Sequence, residues 1–529
     1  MPEEPRVLLV RYLDTYDLKA CALVNKAWHF DFQPFVWHTV SASFPEFRDP
    51  SYRNRIAWLN SIRNNAASIR HLTSLSWDAR IDPDLYAVLI KCSHGLSSIR
   101  VGAKDEPEFS DMMDLIKANT RLQKVHVQAQ RPTFFNPVDS KLLLTALTGH
   151  HRLSELTLAW SLTVVSALQL LEACPSLKSL CIVNLDFSPT PTRTLLPNAR
   201  PTSRLSHLSI TCKTSFDGFI GNGCRAEALS AFLDYCPALE ALSLHGPLET
   251  PSGFETVEYL LRGRLQRLTS LVWTSHFPQS DCIGILNSVP PQQLRHVELS
   301  QLMDHQFTTL IEKHFQSLEF LDANVLVSTT AEMAGLFTKC QRLRVLKINS
   351  TCDFEVRHLI DRPWTICSTL EELSFRFSIQ RPCLDDGLTR YAAVEKAHEG
   401  VGLMEWQQAE RVFMKRLGEC VRLQSYSCLF KKGRDSSPEV GTSKGLSWHL
   451  SSGLAHLSRL SQLERIDFGE RPFVPYKEDL QFMKENWPLL RVIKCSGWER
   501  GYETRQWVQD NWPTLIVHVR PKSDPWRSW

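Results

Sequence analysis

The sequence predicts an α/β fold: a small N-terminal helical module, then a horseshoe-shaped solenoid with a parallel concave sheet and helices on the convex side. Three observations predict it. A strand-like phrase, Leu-x-x-Leu-x-Leu, returns at a step of about 24–29 residues. An amphipathic helical phrase precedes many of its copies. The first forty residues stand outside this period and carry short helical patterns with many large apolar groups.

Residues 1–45 come first. Val7-Leu8-Leu9-Val10-Arg11-Tyr12-Leu13 form one helical pattern, and Leu18, Cys21, Ala22, Val24 and Asn25, closed by Trp28, form another. Asp17 is placed to cap the second helix, its carboxylate accepting from free backbone N–H groups. Phe32, Phe35, Val36 and Trp37 make a third apolar turn. A segment this short cannot bury such groups alone. It is therefore either a docking module that needs a partner or a helical cap on the domain behind it. A connecting helix or linker is expected over 46–68.

The same residues resemble an F-box. The family pattern is an initial Pro, Tyr-Leu, Asp-Leu, Leu-Val-x-Lys-x-Trp and Pro-x-x-Trp. Here these are Pro2, Tyr12-Leu13, Asp17-Leu18, Leu23-Val24-Asn25-Lys26-Ala27-Trp28 and Pro34-Phe35-Val36-Trp37. The start departs from the pattern: F-boxes open with Leu-Pro, whereas Met1 precedes Pro2, and Pro5 falls where a first helical turn tolerates it. The resemblance implies binding to a Skp-type adaptor, and through it to a cullin. It gives Pro2, Leu13, Leu18, Leu23, Val24 and Trp28 the adaptor surface or its immediate support, and has Trp37 join the module to the first repeat.

Residues 69–520 hold the periodic phrase. Clear copies begin at Leu153, Leu177, Leu205, Leu239, Leu268, Leu294, Leu343 and Leu370. Weaker ones begin at Leu72, Leu96, Leu122, Leu318, Leu423, Leu463, Leu490 and Leu515. The preceding helices end at a small or aromatic station, often before proline, which disfavours helix at the residue before it. Cys92, Cys174, Cys236, Cys340 and Cys420 recur there, and Trp487 and Trp512 replace them in the last repeats. Cysteine at such a station acts as a small buried hydrophobe. The unit resembles the leucine-rich repeats attached to F-boxes. Each copy leaves an apolar face open that the next one covers.

Alternation along the strands sets the inward and outward sides. Leu242 and Leu244 point into the core; Ala241, Ser243 and His245 point out. The outward set supplies candidate substrate-binding residues: Lys124, His126, Glu155, His207, His296, Glu298, Lys347, Glu372, Arg376 and Arg465. Their mixed charge suits a protein partner and lacks the basic cluster that nucleic acid requires. Insertions are expected at 382–422, with at least one helix, and at 431–445, a polar and locally basic loop. The tail 521–529 is expected to cover the last repeat.

Composition narrows the function classes. A formal charge of +3 over 529 residues is nearly balanced, so no nucleic-acid or membrane field is implied. Fifteen cysteines lie without framework spacing, and no long apolar run is present. That pattern predicts a reducing cytoplasmic or nuclear setting. No C-x-x-C pair or His-Glu-x-x-His run suggests a metal, and no cofactor motif with its supporting context occurs. Ser443 sits in Gly-x-Ser-x-Gly letters but within a polar loop. Gly149-His150-His151 reads as a turn with solvated histidines. A non-catalytic protein is expected. The F-box resemblance implies a substrate-recognition subunit of a Skp–cullin–F-box ubiquitin ligase, with a protein substrate on the repeats. The alternative is a repeat scaffold whose F-box is vestigial.

Overall fold

The fold is described from a computed structural model. It describes residues 13, 15–41, 52–73, 83–92, 94–103, 106–129, 137–160, 162–186, 204–212, 224–246, 248–249, 254–274, 281–302, 304–325, 330–350, 354–355, 359–360, 362–375, 377–378, 405–428, 448–472, 475–496 and 502–520. Pro2, Arg376, Ser443, the 431–445 loop and the 521–529 tail lie outside the described residues. The chain divides into two compact units, Met1–Leu268 and Thr269–Trp529. Both are α/β leucine-rich-repeat stacks.

In the first unit, helices Thr15–Val24 and Lys26–Val36 pack on one another around Leu18, Ala22 and Phe32. Asn25 separates them. Its backbone is extended and its side-chain oxygen accepts from Trp28 N at 2.9 Å, so it starts the second helix. The first helix begins at Thr15, which places Asp17 inside its first turn instead of at its cap. The expected third turn is the end of the second helix. The chain then enters the sheet at once: Thr39–Ser41 pairs in parallel with His71–Thr73. The repeat sheet therefore reaches back into the stretch assigned by sequence to the helical module.

From there the strands Ser98–Ala103, Lys124–Ala129, Glu155–Ala159, Ser179–Asp186, His207–Cys212 and Ala241–His245 follow in chain order, each parallel to the last. Helices Tyr52–Asn65, Pro83–Cys92, Glu106–Ala118, Pro137–Leu147, Val164–Ala173, Ala226–Leu233 and Phe254–Leu261 pack successively as a second layer. Leucines of the repeated phrase fill the space between; Leu242 and Leu244 are buried, while Ala241, Ser243 and His245 face out. One carbonyl per repeat accepts two backbone N–H groups from the next. Gln123 O, for example, takes Ser154 N at 2.8 Å and Glu155 N at 3.0 Å. Buried Asn119 adds a side-chain link, accepting from Leu96 N and donating to Leu115 O.

The second unit repeats the scheme. Its strands are Ser270–Thr274, His296–Leu302, Phe320–Val325, Val345–Ser350, Glu372–Phe375, Ser425–Cys428, Arg465–Pro472, Val492–Ser496 and Ile516–Arg520, again parallel and in order. Helices Asp281–Ser288, Asp304–His314 and Thr330–Lys339 back the first of these, and a 3-10 turn, Thr365–Ser368, packs next to the last of them. Residues 405–422, expected within an insertion, belong to the regular array. Helix Glu405–Gly418 runs to a buried Cys420 and then to the Ser425 strand, like its counterparts. Gly418 is required there, because a Cβ would collide with the His456 carbonyl. Nearer the C-terminus, buried Asp479 accepts from Leu450 N at 2.9 Å and Tyr476 N at 3.0 Å, and lies 2.7 Å from His449 Nδ1.

The cysteine station is apolar. Cys174, Cys236, Cys340 and Cys420 are buried, and burial pushes the Cys174 and Cys340 thiols up to about 11 and about 12. His150 is not the solvated turn residue that the sequence suggests. It is buried and its N–H bonds Leu147 O, while His151 is exposed. Gly149, at φ 94°, turns the chain left-handed after the helix and tucks His150 under it.

Candidate functional site

Two kinds of surface present themselves, and the helical module is the first. Leu18 and Ala22 share one side of the first helix and are buried with Phe32; Leu13 packs against them. Leu23 and Val24 come next in sequence and are turned away, 84% and 60% exposed. Trp28 lays its ring 5.3 Å from Phe32 and remains 39% exposed. Phe30 is also exposed. Sequence reading missed it, although its position two residues from both Trp28 and Phe32 rotates it to the opposite side. Gln33 donates to Asn65 at 3.2 Å and holds the module against the Tyr52–Asn65 helix. The module has thus filled its own small core and still shows large apolar groups to solvent.

The outward side of each sheet is the second surface. In the first unit one row runs Thr39, His71, Ser98, Lys124, Glu155, Ser179, His207, Ala241, and the next contains Thr73, Arg100, His126 and Thr157. Lys124 and Glu155 pair at 2.7 Å across adjacent strands. His38 and His71 meet edge to face at 4.8 Å, and burial and their neighbours lower both from the usual imidazole value. Burial, then Arg100, lowers His126 as well; its Nε2 has no hydrogen-bond partner among the described residues. Exposed His207 meets Ser206 Oγ at 2.8 Å.

In the second unit, one row carries His296, Phe320, Val345, Glu372, Ser425 and Arg465. The neighbouring row carries Glu298, Asp322, Lys347, Ser374, Ser427 and Asp467. His296 reaches Glu298 at 2.9 Å and stacks on Phe320 with ring centroids 4.1 Å apart and planes 9° from parallel. Lys347 lies 5.8 Å over the same ring and 3.2 Å from Glu372. Burial raises the Asp322 carboxyl, against the opposing pull of Lys347, and Glu298 and Glu372 raise it further.

The candidate residues from sequence therefore fall into groups. Lys124, His126 and Glu155 gather on neighbouring strands of the first unit, with His207 two strands on. His296, Glu298, Lys347 and Glu372 gather on the second unit, with Arg465 two strands beyond Glu372. Arg100, Phe320 and Asp322 were missed. The signal was present: counting outward positions from the weaker copies at Leu96 and Leu318 would have found all three. Among the described residues no group of three or more His, Cys, Asp or Glu is placed to hold a metal ion, and no helix is long and apolar enough to cross a membrane.

No family model matches the sequence, and no curated protein matches it. Several solved structures are similar in part. A leucine-rich-repeat protein of Leptospira interrogans is 13% identical with a TM-score of 0.41, covering 87% of this chain and 98% of that one. A chain of the yeast Rad7 and Elc1 complex is 14% identical with a TM-score of 0.37, covering 77% and 90%. TLR13, in complex with ssRNA13, is 13% identical with a TM-score of 0.35, covering 87% and 59%.

Proposed function

We propose that this chain is a non-catalytic substrate receptor of a Skp–cullin–F-box type ubiquitin ligase, working in the cytoplasm or nucleus. Its helical module takes a Skp-type adaptor, and its repeat sheets take a protein substrate. The observation that carries the reading is the exposure of Leu23, Val24 and Trp28 on a module whose own core is already occupied. Exposed apolar groups of this size on so small a unit mark a contact surface. They also fall within the Leu-Val-x-Lys-x-Trp phrase of the F-box resemblance. Long parallel sheets with polar outer faces support the other half, because they offer hydrogen bonds and charge pairs to a second protein.

The mechanism in this reading is proximity. The receptor holds a lysine-bearing target near a ubiquitin-loaded enzyme, raising the effective concentration of the two reactants. The chain supplies orientation and no bond chemistry.

Co-purification of the full chain with a Skp-type adaptor tests the reading, beside a Leu23→Asp/Trp28→Ala variant. A one-to-one complex formed by the wild type and lost in the folded variant supports it. A folded wild type that leaves the adaptor unbound favours a scaffold with a vestigial module.

A further inference from the structure

We infer that the outward sheet face of the second unit, centred on Phe320 and Asp322, receives a basic segment of a protein partner through an arginine or lysine side chain. The inference rests on the reading that the repeat sheets recognise protein, and adds the chemistry of what they recognise.

Strand register puts the groups together from different repeats. Glu298, Asp322 and Lys347 are successive partners in one row, and His296, Phe320, Val345 and Glu372 in the other. Three carboxylates stand here against one ammonium. Glu298 is engaged by His296, and Glu372 by Lys347. Asp322 between them has no hydrogen-bond or ion-pair partner among the described residues. It is half-buried; burial above all disfavours its charge, Lys347 offsets this in part, and the carboxylates of Glu298 and Glu372 add to it. A cation arriving at Asp322 relieves this strain, and an anion increases it.

The ring beside it points the same way. Phe320 is already stacked by an imidazole on one strand and approached by an ammonium from another. Carboxylates grouped beside an aromatic ring suit a guanidinium above all, whose planar fork pairs with carboxylates and packs against aromatic carbon. The first unit offers the contrast. Its outer rows hold Arg100, Lys124 and several histidines against Glu155, so a basic segment is not favoured there. Like charges placed opposite each other discriminate between partners as strongly as attraction does.

Selection of random dodecapeptides displayed on phage against the full-length chain at physiological salt tests this. Arginine- and lysine-rich winners are expected, binding the Asp322→Asn protein about tenfold more weakly. Asp322→Asn is nearly isosteric, and an unchanged melting temperature shows that its fold is kept; Glu298→Gln provides a second, independent loss. Winners without basic residues that still depend on Asp322 overturn the inference while the protein-recognition reading stands. Winners indifferent to Asp322→Asn, Glu298→Gln and Lys347→Glu overturn both for this face. The absence of any enriched peptide also overturns the inference, and adaptor binding, measured alongside, reports separately on the helical module.

Discussion

Leu23 gives the sharpest separation of folding from binding. Its side chain is 84% exposed, whereas Phe32, nine residues on, is 1% exposed. Leu23→Ala removes three carbons that contribute almost nothing to the folded chain alone, so stability should change by no more than about 0.5 kcal/mol. Buried under an adaptor, the same carbons are worth about 0.8 kcal/mol each, or roughly 2 kcal/mol together. That corresponds to about thirtyfold in Kd. Phe32→Ala should instead cost about 3–5 kcal/mol of module stability through transfer and cavity terms. Calorimetric titration with a Skp-type adaptor reads the first effect and thermal unfolding reads the second. Leu23→Ala binding the adaptor as tightly as the wild type would refute the assignment of this surface. A loss of stability equal to that of Phe32→Ala would refute the account of the module's core.

Three further outcomes follow from buried groups. His314 is fully buried, and burial, then Lys313, lowers its imidazole to about 4. The folded state holds it neutral while the unfolded chain protonates near the usual 6.5, so stability should fall as pH drops from about 6.5 towards 4 and then level off, by about 3 kcal/mol in all; urea unfolding at several pH values checks this, and His314→Asn should lack the slope. Asp479→Ala removes the acceptor for Leu450 N and Tyr476 N and the partner of His449, and should lower stability by about 3 kcal/mol, read as a fall in melting temperature. Cys174 and Cys340, with thiols raised to about 11 and about 12, should resist iodoacetamide at pH 8 in the native chain and react once it is unfolded; modification measured by mass spectrometry before unfolding would contradict their burial.

Much of the repeat architecture was legible because one strand's alternation is a local property. Leu242 and Leu244 go inward for the same reason that Ser243 goes outward, whatever lies next to the strand. The cysteine and tryptophan stations were legible too, since helix length and a following proline set them within one unit. Other features were less so. His150 reads as polar turn material, yet Gly149 redirects the chain and buries it. Residues 405–422 look like an interruption because their spacing from the preceding strand is long, but their helix occupies an ordinary repeat position.

The sequence by itself determined that the chain is an α/β repeat array fronted by an apolar helical module, because both follow from periodicities of 2 and 3.6 that any short segment reveals. Tertiary structure decided which outward residues become neighbours. Glu298, Asp322 and Lys347 come from three repeats, and their row depends on how each intervening loop and helix sets the register of the next strand. It also decided that Leu18 closes the module while Leu23 stays in solvent. That difference arises because the extended Asn25 separates two helices, and only their packing chooses which apolar side is covered.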